Sequence, residues 1–207
     1  LVRGPQAGSA VDRTTNQARP VDFNDRLLYV TADELFDALE VRARNELVAR
    51  LNDVRNSGAA HFPWAAAFDT ATGDCVAGLR FGHPATSCAS GPFAALPAWF
   101  TGAGWQRYFV YAASPRCVQT DTSCVAPGLR LGARTDIQAL VVAPGRAIQT
   151  APFAPSRLLA QAPLVGALLS ANAADLLDSV ENASANDVFE AVDPPTPTNN
   201  DRLTIVR

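Results

Sequence analysis

Residues 31–55 read TADELFDALEVRARNELVARLNDVR and carry the clearest structural signal in the chain. Their apolar side chains recur at spacings of three or four, the period of one face of an α-helix. Thr31 and Glu34 form a capping box, in which each residue pairs an otherwise orphan amide of the first turn. The pattern predicts an amphipathic helix from about Thr31 to Arg55. Its expected packing or partner face consists of Leu35, Leu39, Leu47 and Leu51.

Three later stretches have the composition and alternation of β-strands. They are the aromatic-rich Trp105–Ala113, the β-branched Asp136–Ala143 and the terminal Asp201–Val206. Residues 59–104 are predicted to be irregular, and a helical pattern with two breaks covers Pro155–Asp178. A long amphipathic helix followed by loops and a small antiparallel sheet is the order of an α+β fold.

The two ends of the chain contain a short internal repeat. Asn24-Asp25-Arg26-Leu27 recurs as Asn200-Asp201-Arg202-Leu203, and both copies lead into an apolar run. Residues 1–20 are polar, rich in Gly, Pro and Ala, and without a period, so they are interpreted as a leader. We therefore divide the chain into residues 1–30, a leader ending in the last strand of a preceding similar module, and a globular domain at residues 31–207.

Composition narrows the class of protein. The chain has 48% hydrophobic and 18% charged residues, which is typical of globular domains. Its net charge is -3, every basic residue is Arg and no basic run occurs, so a nucleic-acid partner is not expected. No apolar run reaches the roughly 18 residues of a membrane-spanning helix. The absence of Met suggests a processed piece of a longer product.

The four cysteines fall into two close pairs, Cys75 with Cys88 and Cys117 with Cys124. Neither pair has the C-x-x-C spacing of a zinc or redox site. Three connectivities are possible, and local pairing is favoured because it closes short loops, each contributing roughly 2.5–3 kcal/mol. Two disulfides would indicate the periplasm or the cell exterior. Four reduced thiols in a cytosolic protein are the alternative.

No familiar catalytic or nucleotide-binding motif occurs in the chain. A Ser–His–Asp triad would have to use His61 or His83, and a passive role is favoured for both. Clustered carboxylates can bind Ca²⁺, although such runs more often form a solvated helix face. The candidates are Asp175, Asp178, Glu181, Asp187 and Glu190. We therefore predict no catalytic, cofactor-binding or metal-binding residues and keep calcium as an alternative.

The aromatic residues allow two interpretations. The group consists of Trp64, Trp99, Phe100, Trp105, Tyr108, Phe109 and Tyr111. Exposed together, these rings would form a platform for a sugar or a protein partner. Packed against the helix, they would form the core, which is the simpler interpretation. Trp99, Trp105, Tyr108 and Tyr111 are accordingly candidate packing or partner residues.

Several segments, taken in order, are similar to the periplasmic part of bacterial type IV pilin-like proteins, the minor pilins and pseudopilins. After the helix at Thr31 these are HFPWAA (61–66), LPAWFTGAGWQRYFVYA (96–112), DIQALVVAPGRAI (136–148), NDVFE (186–190) and NDRLTIV (200–206). The most specific pieces are W-x-x-Y-x-x-Y-A, A-L-V-V-A-x-G-R-A and the terminal N-D-R strand. The resemblance covers residues 31–207.

This resemblance implies a pilin-like, non-enzymatic head displayed on a surface fibre, with other pilin or pseudopilin subunits as partners. The expected function is a structural or tip subunit of a type IV pilus or type II secretion pseudopilus. In that family a hydrophobic helix anchors and polymerises the subunit, and residues 1–207 do not contain one. Membrane attachment would therefore use an anchor helix outside these residues. The alternative is a secreted adhesin or carbohydrate-binding module that uses the aromatic residues.

Overall fold

The structure is a computed structural model of the 207-residue chain. It describes residues 11–12, 17–18, 30–57, 61–69, 73–88, 91–118, 124, 128–145, 149–151, 154–155, 172–191, 196 and 199–206. Contacts divide the chain into two units, Leu1–Ala38 and Leu39–Arg207. In the first unit, β1 (Val11–Asp12) pairs antiparallel with β2 (Gln17–Ala18).

Helix α1 spans Ala32–Asn56 and confirms the helix predicted from about Thr31 to Arg55. The predicted capping box is present: the Glu34 amide donates to Thr31 Oγ1 at 3.0 Å, and the Thr31 amide donates to Glu34 Oε2 at 2.8 Å. At the other end, the Ser57 hydroxyl donates to the Val54 carbonyl. Within the described ranges, α1 is the only helix of seven or more residues.

The second unit is built on a five-stranded antiparallel sheet with the order β12-β8-β5-β4-β3. Its strands are β3 (Ala65–Ala66), β4 (Phe81–Pro84), β5 (Val110–Ala113), β8 (Ala139–Ala143) and β12 (Arg202–Ile205). The C-terminal strand β12 pairs with β8 from Arg202 opposite Ala143 to Ile205 opposite Leu140. The last strand therefore lies at one edge of this sheet and the short β3 at the other.

A smaller three-stranded sheet has the order β11-β6-β7, formed by β6 (Leu129–Leu131), β7 (Arg134–Ile137) and β11 (Val188–Phe189). Strand β11 is parallel to β6, and β6 is antiparallel to β7. A separate antiparallel pair joins β9 (Gln149–Ala151) to β10 (Ala154–Pro155). Short helices complete the described elements: α2 (Ala98–Gly102), α3 (Val180–Ala183) and 3-10 turns at Pro92–Ala95, Trp105–Arg107 and Ala173–Asp175.

The apolar core lies between the two sheets. Strands alternate their side chains between two faces, and one face of the five-stranded sheet packs against Leu129, Ile137 and Phe189 of the smaller sheet. We call this the apolar face. It consists of Val110, Ala112, Leu140, Val142, Leu203 and Ile205. The opposite face carries the intervening residues of the same strands, and we call it the helix-side face because its Arg202 contacts α1.

Two predicted strands differ from the structure. Trp105–Ala113 is a 3-10 turn at Trp105–Arg107 followed by the strand Val110–Ala113, because Gly104 adopts a left-handed φ of 78° that begins the turn. Asp136–Ala143 is interrupted at Gln138, where the chain passes from β7 in the small sheet to β8 in the large one. The alternation in sequence does not reveal a change of sheet.

The segment predicted to be irregular, residues 59–104, also contains strands β3 and β4. Strand β4 reads Phe-Gly-His-Pro, a composition that argues against a strand. Its Gly82 is required by close packing, since a Cβ there would lie 2.1 Å from the Ala66 carbonyl oxygen. Of the helix predicted at Pro155–Asp178, the structure describes Pro155, which lies in β10, and residues 172–178, of which Ala173–Asp175 form a 3-10 turn. The strand predicted at residues 21–30 lies, except for Val30, outside the described residues.

Both predicted disulfides are confirmed: Cys75 is bonded to Cys88 and Cys117 to Cys124. The first bridge closes the loop that leads into and out of β4, and the second lies between β5 and β6. The chain is thus a mixed α/β structure with an antiparallel sheet and two disulfides. Disulfides of this kind indicate an oxidising, extracytoplasmic environment.

Candidate functional site

A buried charged residue lies on the sheet side of α1. Glu40 has no exposed surface, although helix positions facing a core are normally apolar. Its Oε1 accepts a hydrogen bond from the Arg202 guanidinium at 3.1 Å. Arg202 is about one third exposed, so its charge is only partly removed from water. This ion pair joins the helix directly to the terminal strand β12.

Two further segments meet at Glu40. The Tyr108 hydroxyl contacts Glu40 Oε2 and lies 2.9 Å from the Gly145 carbonyl oxygen. Gly145 has a φ of 68°, and a Cβ there would lie 2.9 Å from two Asn200 oxygens, so only glycine fits. We call Glu40, Tyr108, Gly145 and Arg202 the Glu40 junction. It brings together the helix, the turn before β5, the end of β8 and the start of β12.

A second polar group surrounds Asp201, the neighbour of Arg202. The buried Asp201 carboxylate accepts hydrogen bonds from the amides of Asp178 and Ser179 and from the Asn182 side chain, each at 3.0–3.1 Å. Asn182 in turn accepts from the Glu190 amide at 2.9 Å. Because backbone donors left unpaired in a core cost about 1–3 kcal/mol each, Asp201 stabilises the turn before α3. The adjacent residues 201 and 202 thus hold β12 to two different segments.

The four leucines of the predicted packing or partner face of α1 differ in burial. Leu47 and Leu51 are fully buried and Leu39 is half-buried, whereas Leu35 is 55% exposed. The buried stripe contains Glu40, Ala43, Leu47 and Leu51. At 100° per residue, Leu35 points about 120° away from Leu47, which places it outside that stripe.

The aromatic residues form packed clusters rather than an exposed platform. Phe100, Trp105, Tyr108, Phe109 and Tyr111 are all buried. Their rings pack edge-to-face and stacked at centroid distances of 5.2–6.2 Å. Burial raises the pKa of Tyr111 well above its usual value of 10.0, and its hydroxyl donates to the Pro63 carbonyl at 3.0 Å.

Two of the tryptophans are partly exposed, Trp64 and Trp99. The Arg42 guanidinium of α1 lies 4.6 Å from the centre of the Trp99 ring, a cation–π contact. This contact covers part of the ring that a ligand would have to stack on.

The histidines do not assemble a triad in the positions that the structure gives them. His83 is buried in β4, its Nδ1 lies 3.0 Å from the Phe109 carbonyl oxygen, and its ring contacts Phe68 edge-on. Burial lowers the pKa of His83 to about 4, opposed by the hydrogen bond to Phe109 and assisted by the charge of Arg107. His83 is therefore a neutral core residue at physiological pH. His61 is half-buried.

The acidic residues proposed as an alternative calcium site are occupied by protein partners. Asp178 accepts from the Asn200 amide, Glu190 from Ser179, and Glu181 from Asn186. Asp187 forms an ion pair with Arg80 at 2.8 Å. In the described ranges, no three His, Cys, Asp or Glu side chains converge as metal ligands would.

An open cleft lies where the end of α1 meets the end of β12. Arg55 and Asn56 line it from the helix, Ile205 and Val206 from the strand, and Arg134 and Asp136 from β7. The Arg134 guanidinium, hydrogen-bonded to the exposed Asp136 carboxylate, lowers the pKa of that group. Arg202 contacts Glu40, while Val206 and Asn56 line the same cleft, so β12 follows the direction of α1.

Sequence reasoning missed Glu40, Asp201 and Arg202 as paired residues. The signal for Glu40 was a charged residue in register with Ala43 and Leu47, spaced three and four residues apart on the helix. Asp201 and Arg202 lie in the repeated Asn-Asp-Arg-Leu sequence. This repeat predicted a strand, but it did not predict the hydrogen bonds of the two polar side chains.

No protein-family model, no curated protein and no solved structure matches the chain. Within the described residues, no helix is both long enough and apolar enough to cross a membrane.

Proposed function

We propose that this chain is a non-enzymatic head domain of a surface fibre, a structural or tip subunit of a type IV pilus or type II secretion pseudopilus. The observation that carries the proposal is the Glu40 junction. Through it, the terminal strand holds an amphipathic helix against the helix-side face of an antiparallel sheet. This arrangement supports the helix–loop–sheet head implied by the resemblance of residues 31–207 to pilin-like proteins.

The two disulfides support the same proposal. Cys75–Cys88 closes a loop that contains β4, and Cys117–Cys124 closes a loop after β5. Covalent closure restricts the unfolded chain and stabilises a small domain. A subunit exposed outside the cell benefits from such bridges, since the oxidising compartment maintains them.

The alternative, a secreted adhesin or carbohydrate-binding module, requires aromatic rings at the surface. Five of the seven candidate rings are buried among the described residues, and Trp99 is partly covered by Arg42. We therefore favour a fibre subunit over a sugar-binding module. A glycan array with the purified chain, and with Trp99→Ala as the matched variant, separates the two functions.

The direct test is the location of the chain in its source cell. We expect antibodies against residues 31–207 to label fibres sheared from the cell surface, and mass spectrometry to find the chain in that fraction. We also expect the gene product to carry a prepilin cleavage site followed by a long apolar helix. A chain found only as free secreted protein, without such a helix in its gene product, would contradict the proposal.

A further inference from the structure

The open cleft at the end of α1 has the size of a binding site. We call it the α1 cleft, and its volume is about 770 Å³. Ligand sites in proteins commonly measure about 300–1,000 Å³. Residues of α1, β7 and β12 line it, together with Gln138, which links β7 to β8. None of the four residues of the Glu40 junction lines it, so the two places in the molecule are separate.

The first of two arginines in the α1 cleft comes from the helix. Arg55 is exposed in the last turn of α1, and it forms no ion pair with any residue that the structure describes. Arg50 of the same helix differs, because it pairs with Glu46 and Asp53. A guanidinium has five N–H donors and no acceptor. Those of Arg55 are therefore open to an anion in the cleft.

The second arginine, Arg134, lies on β7 and already holds a carboxylate. Its partner is Asp136, two residues further along the same face of the strand. The two hydrogen bonds measure 3.3 and 3.4 Å, longer than the roughly 2.7–2.9 Å of a strong charge-assisted bond. The side chains are 48% and 67% exposed, and an exposed pair of this kind contributes little to stability. A carboxylate brought by a ligand can therefore displace Asp136 from Arg134.

The other charges in the α1 cleft select among anions. The helix ends at Asn56, which lines the cleft, and the C-terminal end of a helix carries about half a negative charge. Asp136 adds a full negative charge, because the Arg134 guanidinium lowers the pKa of that carboxyl group. Both charges oppose a doubly charged phosphate. A singly charged carboxylate with amide N–H groups beside it fits better, since carbonyls of the last helical turn lack intrahelical donors.

The α1 cleft also offers an apolar contact. Ile205 of β12 lines it and is half-buried, next to the buried Val206 and Ile137. A ligand that combines a carboxylate, amides and an apolar side chain would use all three parts of the lining. A peptide has this combination of groups.

We propose that the α1 cleft binds a short peptide segment of another protein through a carboxylate held by Arg55 and Arg134. The carboxylate replaces Asp136 at Arg134, the peptide amides face the end of α1, and an apolar side chain of the peptide contacts Ile205. A free C-terminus and an acidic side chain supply the same group, so the experiment separates these two sources. The inference goes beyond the proposed function and does not depend on it, because fibre labelling and peptide binding by the purified chain can each fail alone.

The test titrates the purified full chain with three acetylated pentapeptides and follows its amide signals by NMR. The first has four alanines and a terminal valine with a free carboxylate, and the second is its uncharged C-terminal amide. The third, also an amide, has glutamate in place of the fourth alanine. We expect at least one charged peptide to bind with a Kd of about 1 mM or lower, and the uncharged one about five-fold or more weakly. Charged peptides that bind no better than the uncharged one, or less tightly than inorganic phosphate, overturn the proposal.

Variants of the lining residues connect binding to the α1 cleft. Arg55→Ala and Arg134→Ala should each weaken binding of the charged peptide about five-fold or more, since each removes a cation that pairs with the carboxylate. Asp136→Asn should strengthen it by about two- to five-fold, because it removes the competing carboxylate. Arg130→Ala, at an exposed arginine of β6 that does not line the cleft, is the matched control and should change the Kd less than about two-fold.

Thermal melts of the four variants check that each is folded, which is expected because the substituted side chains are exposed. Binding that both Arg55→Ala and Arg134→Ala leave unchanged overturns the proposal. So does binding that Asp136→Asn weakens, because Asp136 would then contribute to the ligand contacts and not compete with them.

Discussion

One face of the five-stranded sheet packs almost entirely apolar side chains against the smaller sheet, whereas the other lies under α1, where the buried Glu40 pairs with the partly exposed Arg202. On the apolar face, Leu140 and Val142 are fully buried and contact Leu129, Ile137 and Phe189. On the helix-side face, the buried Glu40 pairs with the partly exposed Arg202. The same strands supply both faces, so the difference comes from what each face packs against.

The two faces specify the structure in different ways. Apolar side chains attract without direction, so the apolar face stabilises the fold without fixing which residue lies opposite which. A buried carboxylate must be met by donors at hydrogen-bonding distance. The Glu40 junction therefore sets the position of β12 along the helix.

The largest expected effect is loss of core packing beneath α1. Leu47 is fully buried in the helix stripe, so Leu47→Ala should lower the free energy of unfolding by about 2–5 kcal/mol. The control is Leu35→Ala on the same helix, whose side chain is 55% exposed, and it should change stability by less than about 0.5 kcal/mol. Urea denaturation measures both. Equal effects would mean that the helix does not pack through the Leu47 stripe.

Acid should weaken the apolar side of the sheet, through His83. Its pKa is about 4 in the folded chain and 6.5 in the unfolded chain. The stabilisation by neutral His83 is therefore complete above pH 6.5 and is lost as the pH falls to 4, by up to about 3 kcal/mol at 1.36 kcal/mol per pKa unit.

Thermal melts between pH 7 and pH 4 test this dependence on His83. His83→Asn keeps a side-chain donor but removes the titration, so its melting temperature should fall less over this range. His61→Asn, at the half-buried histidine, is the matched control for replacing a histidine by asparagine. If all three proteins lose stability in parallel, His83 is not the group responsible.

On the helix-side face, removal of the Arg202 side chain should lower the stability by a smaller amount. Arg202→Ala leaves Glu40 buried without its partner charge. Breaking a fully buried pair costs about 3–5 kcal/mol, and because Arg202 is about one third exposed we expect about 2 kcal/mol. Arg134→Ala removes an arginine from an exposed pair with Asp136 and should cost less than about 1 kcal/mol. If Arg134→Ala lost more stability than Arg202→Ala, the pair with the buried Glu40 would not be the stronger of the two.

Local patterns in the sequence were sufficient for the helix, its cap, the terminal strand and both disulfides. Each depends on residues close together in the chain: Thr31 with Glu34, or Cys117 with Cys124. The apolar period of α1 identified the helix but misplaced one edge of its buried stripe at Leu35. The buried face of a helix is predicted from its apolar residues, and here one position on that face is the charged Glu40.

Contacts between distant segments could not be read in the same way. Glu40 and Arg202 are 162 residues apart, and nothing in either neighbourhood identifies the other. The break at Gln138 arises because β7 and β8 belong to different sheets, a property of the pairing partners and not of the segment. Strand β4 was missed because its Gly82 and Pro84 oppose local strand preference, while close packing against Ala66 requires the glycine.

The smallest expected effect is the difference in stability between substitutions of the two buried tyrosines. The Tyr108 hydroxyl contacts the Glu40 carboxylate, whereas Tyr111 donates to the neutral Pro63 carbonyl. Hydrogen bonds to charged groups contribute about 1.5–3 kcal/mol and neutral ones about 0.5–1.5 kcal/mol, so Tyr108→Phe should destabilise the chain by about 1 kcal/mol more than Tyr111→Phe. Because Tyr108 and Arg202 share Glu40, their effects should also be non-additive in a double-mutant cycle, while Tyr111 and Arg202 should add within about 0.5 kcal/mol. Additivity for both pairs would show that Glu40 is not held by the two partners together, and the distinction between the two faces of the sheet would then rest on packing alone.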